Sequence, residues 1–298
     1  YGRAYVVFGE DLGSGGTFSL TNARTTLLSC TGYTDDQGEF GAAFATGGDV
    51  TGDGVNDVLV GAPDIDNGGR AYMYSGARLA GGGYFGCGSQ DWTFEGHVGA
   101  AGVGATLAMV GDIDGDGLED LAVGAAYSGW VGLFLGFSIA GSPPGTVFSI
   151  DDRNLYLQSP WNGRPNRIAG RGDFDGDLLD DLLIGDTWTE DGRGYVVTGA
   201  ALTNLSGYAL EITAEVRARG TGTSFDTTIR AGHQVAWIGD QDGDGRTEAI
   251  VGSRHSVVEG PLRGSVALFR TDTTLVGDPS LPESDVLFTG PEYGELGY

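Results

Sequence analysis

Short apolar runs recur along the chain, each closed by a glycine: Val58-Leu-Val60, Leu121-Ala-Val123, Leu182-Leu-Ile184 and Ala249-Ile-Val251. Runs this short, bounded by turn residues and rich in β-branched side chains, read as strands. A segment of small residues leads into them, as in Phe40-Gly-Ala-Ala-Phe-Ala-Thr-Gly-Gly48 and Val103-Gly-Ala-Thr-Leu-Ala-Met-Val-Gly111. A third strand follows about a turn later at Arg70–Tyr74, Val131–Leu135, Gly194–Val197 and Ser265–Phe269. A fourth, less regular, is expected at Asp91–Phe94, Asn154–Leu157, Ala209–Ile212 and Asp285–Phe288. Only Ala214-Glu-Val-Arg-Ala-Arg219 has the composition of a helix, and it is too short to carry an architecture. The longest apolar stretch, Trp130 to Ala140, falls short of the roughly 18 residues a membrane span needs, so no transmembrane segment is expected in this chain.

Between the first and second strand of each unit lies an acidic loop of nine residues. The loops are Asp49-Val-Thr-Gly-Asp-Gly-Val-Asn-Asp57, Asp112-Ile-Asp-Gly-Asp-Gly-Leu-Glu-Asp120, Asp173-Phe-Asp-Gly-Asp-Leu-Leu-Asp-Asp181 and Asp240-Gln-Asp-Gly-Asp-Gly-Arg-Thr-Glu248. Carboxylates at the first, third, fifth and ninth places can converge on one hard cation, and glycines between them let the backbone wrap it. Calcium is the expected ion, with up to four bound. An EF-hand is excluded because it needs a bidentate Glu at the twelfth place, where this chain has Val60, Val123, Ile184 and Val251. Loop starts at 49, 112, 173 and 240 lie 63, 61 and 67 residues apart, which marks an internal repeat. Four antiparallel strands per unit predict an all-β fold, a β-propeller with a calcium loop between the first and second strand of each blade.

The expected layout is a single propeller over 1–298, with a partial blade at 1–39, blades at about 40–102, 103–163, 164–230 and 231–292, and the start of another at 293–298. Gly2–Gly9 matches a third strand and Tyr293–Tyr298 a first strand, which reads as a fragment entered mid-blade. A five-unit ring closed by 293–298 against the N-terminal strands is the alternative. Segments Ala140–Gly145 and Gly277–Pro282 are turn-rich connections, since the period continues across them.

Composition changes this picture little. Glycine is the commonest residue at 56, as many tight turns require, with no collagen period. The net charge of -25 arises from 41 acidic residues against 16 basic ones, all arginine, which makes nucleic acid a poor partner. Fifteen of the 41 carboxylates stand at the ion-ligand places, and four divalent ions would bring the charge to -17 (4 × 2 = 8). Cys30 and Cys87 are too few for a disulfide framework, and a bond between them and two buried thiols both stay open.

Phe40-Gly41 opening a unit, the acidic loop after it, and Gly61-Ala62-Pro63 closing the second strand resemble the FG-GAP repeats of integrin-alpha-type β-propellers. The similarity covers essentially the whole chain. It implies calcium held by side chains of the first, third, fifth and ninth residues and by the carbonyl of the seventh. The second loop fits best, with Asp112, Asp114, Asp116, Asp120 and the Leu118 carbonyl. The first offers Asp49, Asp53, Asp57, the Val55 carbonyl and, in place of a carboxylate, the neutral oxygen of Thr51. The third offers Asp173, Asp175, Asp177, Asp181 and the Leu179 carbonyl, but Leu178 stands where the others have glycine and is strained if φ is positive there. The fourth offers Asp240, Asp242, Asp244, the Arg246 carbonyl and Glu248 in place of Asp. Elsewhere the signatures decay, to Val103-Gly104, Arg164-Pro165 and Ala231-Gly232 for the first and Gly124-Ala125-Ala126, Gly185-Asp186-Thr187 and Gly252-Ser253-Arg254 for the second. Degenerate repeats of this kind imply a bacterial surface or secreted protein.

Other motifs add less. Arg171-Gly172-Asp173 spells an integrin-recognition tripeptide, but Asp173 already opens the third loop, so the match reads as coincidence. His97, His233 and His255 have no nearby Cys or paired carboxylate at ligand spacing and read as structural. Asn204-Leu-Ser206 is a lone glycosylation sequon. The aromatics Tyr72, Tyr74, Trp92, Phe94, Phe134, Tyr195 and Phe269 fall on third and fourth strands, where packing between blades is expected. No nucleophile elbow, Walker loop or dinucleotide fingerprint occurs in the sequence. The expected function is an extracellular or cell-surface binding or structural scaffold with a protein or glycan partner. The alternatives are a secreted lyase- or phospholipase-type enzyme or lectin on the same propeller, and a self-associating subunit of a filament or surface layer.

Overall fold

A computed structural model describes residues 2–12, 17–28, 38–86, 88–97, 102–125, 127–158, 165–188, 192–203, 210–211, 216–219, 231–253, 264–270 and 285–289. Cys30, Cys87, the 204–206 sequon, His255, the 277–282 connection and the 293–298 segment lie outside them.

The fold is all-β. Five sheets follow one another along the chain, mostly antiparallel. The first pairs β1 (Arg3–Val6) with β2 (Thr25–Leu28). The second is a meander of β3 (Phe44–Thr46), β4 (Val58–Ala62), β5 (Arg70–Tyr74) and, beyond a short strand β6 (Gly83–Phe85), β7 (Trp92–Glu95). The third repeats this with β8 (Val103–Gly111), β9 (Asp120–Ala125), β10 (Trp130–Phe134) and, past β11 (Thr146–Ser149), β12 (Leu155–Gln158). The fourth holds β13 (Pro165–Gly172), β14 (Asp181–Asp186), β15 (Arg193–Val197) and, after β16 (Leu210–Glu211), β17 (Val216–Arg219). The fifth holds β18 (Ala231–Trp237), β19 (Ala249–Ser253), β20 (Ser265–Phe269) and β21 (Val286–Thr289).

The fourth strands, the parallel additions and three short helices depart from the sequence expectation. The fourth strand of the unit at 164–230 is Val216–Arg219, paired antiparallel with β15 at Tyr195↔Arg217, so the described part of the segment read as helical is a strand. Leu210–Glu211, expected as that fourth strand, instead runs parallel to β12 of the preceding sheet. It is one of three such additions: β6 lies parallel to β2, and β11 parallel to β7. Each sheet from the first to the third thus ends in a strand lent by the following unit. Three five-residue helices, α1 (Gly76–Ala80), α2 (Gly136–Ala140) and α3 (Gly199–Thr203), follow the third strands and were not anticipated.

Sheets pack on their neighbours. One apolar cluster joins Leu59, Met73 and Phe94 of the second sheet to Met109, Leu121 and Phe134 of the third. Another joins Val131 and Leu157 to Leu182, Ile184 and Tyr195, and a third joins Leu183 and Val196 to Val251 and Phe269. The seven aromatics expected as packing residues are all buried. The signature glycines make this stacking possible. Gly104 has φ +89, and a Cβ there would collide with the Arg70 carbonyl, while a Cβ on Gly61 would strike the Gly104 carbonyl. Backbones of consecutive sheets touch at this point, and only glycine permits it.

Candidate metal centres

The four acidic loops occupy the same place in four consecutive sheets, between the first strand and the second, as the spacing predicted. Each folds by the same hydrogen bonds. The first carboxylate accepts from amides further round the loop: Asp112 Oδ1 from Gly115 and Asp116 at 2.7 and 3.0 Å, and Oδ2 from Gly117 at 2.7 Å. Asp49, Asp173 and Asp240 do the same. The fifth carboxylate accepts from the seventh amide, as between Asp53 and Val55, Asp116 and Leu118, Asp177 and Leu179, and Asp244 and Arg246. The backbone must turn left-handed at the fourth and sixth places. At the sixth, φ is +86 at Gly54, +89 at Gly117 and +88 at Gly245. In the third loop Leu178 takes φ +71 with its side chain almost wholly exposed, so the expected strain is present and the loop keeps its shape.

The ninth residue anchors the loop from beneath. Asp57, Asp120, Asp181 and Glu248 are buried, whereas the other loop carboxylates stay half-buried or exposed. One oxygen of each accepts the amide of the second loop residue, from 2.5 Å at Glu248 to 2.9 Å at Asp57 and Asp120. The other oxygen of each aspartate accepts the first amide of a short helix: Gly76 to Asp57 at 2.9 Å, Gly136 to Asp120 and Gly199 to Asp181 at 2.7 Å. These glycines press against loop backbone, and a Cβ on Gly76 would meet the Asn56 carbonyl. Sequence reading missed this partner. Its one signal is a glycine just past each third strand, 19, 16 and 18 residues after the anchor.

Carboxylate oxygens converge in every loop. Asp49, Asp53 and Asp57; Asp112, Asp114 and Asp120; Asp173, Asp175 and Asp181; and Asp240, Asp242, Asp244 and Glu248 each bring ligand atoms within 4.8 Å of one another. Thr51 joins the first group through its hydroxyl, 3.4 Å from Asp49 and from Asp57. Asp116 and Asp177 do not reach their clusters. Burial pushes the Asp57 carboxyl up to about 6 and those of Asp120 and Asp181 up to about 7, against the pull of their backbone donors, with neighbouring loop carboxylates adding to the rise. At the exposed Asp240 the Gly243 and Gly245 amides hold the carboxyl below its ordinary range. An all-oxygen, mainly anionic donor set of this kind fits a hard divalent cation and nothing softer.

Adjacent loops also touch. Asp180 Oδ2 accepts the Asp112 amide at 3.0 Å, and Thr247 Oγ1 accepts the Asp173 amide at 3.3 Å. Glu119 accepts from Gly111 at 2.8 Å and pairs with Arg171 at 2.9 and 2.7 Å. Both charged ends of the Arg171-Gly172-Asp173 tripeptide are therefore engaged inside the protein, Asp173 by the Gly176 and Leu178 amides. His97 Nε2 lies 3.2 Å from Asp151 Oδ2, which belongs to none of the four loops.

These features define an all-β repeat protein with acidic loops at equivalent junctions. The FG-GAP repeat family model matches residues 40–74 and 103–143, and these two stretches carry FG-GAP repeats. It is similar to integrin alpha pat-2 of Caenorhabditis briggsae, 28% identical over 221 residues, 66% of this chain and 17% of that protein. Integrin alpha-PS2 of Drosophila melanogaster is 34% identical over 164 residues, 49% of this chain and 11% of that protein. Human integrin alpha-7 is 32% identical over 161 residues, 49% and 12% respectively. The chain thus spans less than a fifth of these relatives' length. Among the described residues, no helix is long and apolar enough to cross a membrane.

Proposed function

We propose that this chain is a calcium-stabilised β-propeller that presents a rigid interaction surface to a protein partner outside the cell. Its blades run over about 40–102, 103–163, 164–230 and 231–292, with a partial blade before them. Calcium is held by Asp49, Thr51, Asp53 and Asp57; by Asp112, Asp114 and Asp120; by Asp173, Asp175 and Asp181; and by Asp240, Asp242, Asp244 and Glu248. The carbonyls of Val55, Leu118, Leu179 and Arg246 complete the sets, while Asp116 and Asp177 shape their loops. The carrying observation is the convergence of carboxylates at four equivalent junctions.

Bound calcium supplies the positive charge that lets these carboxylates share a site. At a site dissociation constant near 10⁻⁴ M and about millimolar calcium, each ion stabilises the fold by about 1.4 kcal/mol. Sites with a dissociation constant in that range would fill at extracellular rather than cytosolic calcium levels, so the reading carries with it a place outside the cell. A surface with net charge -25 favours a protein partner over nucleic acid.

Thermal unfolding of the whole chain, with millimolar calcium and then with chelator, tests the reading. Chelation is expected to lower the melting temperature by several degrees, and Asp112→Ala with Asp114→Ala to remove part of that difference. An unchanged melting temperature after chelation would overturn it.

A further inference from the structure

We infer that the eighth residue of one acidic loop is a positioning residue for the ion site of the loop before it, so that the sites are coupled in a row. The inference rests on the loops holding cations. Asp180 belongs to the third loop, yet its Oδ2 accepts the backbone amide of Asp112, the first residue of the second loop, at 3.0 Å. The contact is close: a Cβ on the neighbouring Gly111 would collide with the Asp180 side chain. At the next junction Thr247 of the fourth loop accepts the Asp173 amide through Oγ1 at 3.3 Å and donates its own amide to the Asp173 carbonyl at 2.8 Å.

Asp180 and Thr247 each precede a buried anchor, Asp181 or Glu248, whose carboxylate is tied into its own loop. A cation that fixes the third loop therefore fixes Asp180, and with it the amide of Asp112, whose carboxylate faces the second site. Glu119, at the eighth place of the second loop, makes the same close approach to Gly48 ahead of the first loop, but its oxygens accept from Gly111 and Arg171 and not from the Asp49 amide. The coupling runs from the fourth loop to the third and from the third to the second. An outer hydrogen bond that orients a ligand is worth about tenfold or more in metal affinity.

The test is calcium titration of the metal-depleted whole chain by calorimetry. Asp180→Ala is expected to weaken one site about tenfold, and Asp180→Asn, which keeps an acceptor oxygen, to leave that site near its original affinity. The same Asp180→Ala change in a chain whose second loop is disabled by Asp112→Ala and Asp114→Ala is expected to do nothing further. An equal loss in both backgrounds would place the effect of Asp180 in its own loop and overturn the inference. Thr247→Val supplies a second case, with the loss expected at the third loop and absent once Asp173 and Asp175 are replaced by alanine. Failure of the unmodified chain to take up calcium would overturn the ion-site reading itself, an outcome distinct from equal losses in the two backgrounds.

Discussion

A carboxylate at the ninth loop position serves two structures at once. Asp120 receives the Ile113 amide from its own loop and the Gly136 amide from a helix sixteen residues away. Asp120→Ala leaves two buried donors unmatched, and at about 1–3 kcal/mol for each such group the expected loss is about 3 kcal/mol. Asp114→Ala, which removes a more exposed carboxylate, should cost the calcium-free protein under about 1 kcal/mol; urea unfolding of both variants checks the contrast. Leu178 gives a gain in the other direction. A left-handed backbone costs a non-glycine residue about 1–2 kcal/mol, so Leu178→Gly should stabilise by roughly 0.5–1 kcal/mol after glycine's entropy is charged against it. Scanning calorimetry would register this as a rise of a degree or more. At this scale the sequence was informative wherever residue type carries chemistry: alternating aspartates, glycines at left-handed turns, and a leucine out of place. The Gly136 amide left almost no trace, because a backbone donor has no residue type beyond the small size that close approach demands.

Among the elements, second and third strands were legible because they are short apolar runs bounded by turns: the observed second strands run two or three residues longer than expected, and the third strands match to within one residue at either end. Fourth strands were less so. Val216-Arg-Ala-Arg219 alternates as a strand does, but two arginines among small residues also suit a helix, and hydrogen bonding to β15 decided it. The lent strands β6, β11 and β16 escaped because parallel pairing to another unit is a long-range event with no local period. Their contribution is measurable at Phe148 on β11. Its ring stacks on Phe94 of the preceding unit, 5.5 Å between centroids, and meets Phe134 edge-on at 6.1 Å. Phe148→Ala is expected to cost about 2–3 kcal/mol, below the range for a fully buried Phe because the side chain is only partly buried. A shift in urea midpoint with unchanged slope would confirm a pure packing loss.

At the scale of the whole molecule, three buried loop anchors make their share of stability depend on pH in a sense opposite to most proteins. Asp57, Asp120 and Asp181 have carboxyls raised by burial to about 6 to 7, above their unfolded values. The folded state therefore holds these protons more tightly, and the stability they contribute is present below about pH 4 and lost as pH rises through about 6 to 7. The chelated protein should melt at lower temperature at pH 8 than at pH 5, and calcium should flatten or reverse that slope; melts across pH in the two conditions check it. A last consequence follows from β11. The repeat as it is written along the chain and the sheet as it is folded are different stretches, overlapping like shingles. Residues 40–102 excised alone would leave β7 with a bare edge, while a piece carried on to 152 brings its cover along. Anyone cutting this protein into modules must carry the piece through four strands of the next unit, to β11.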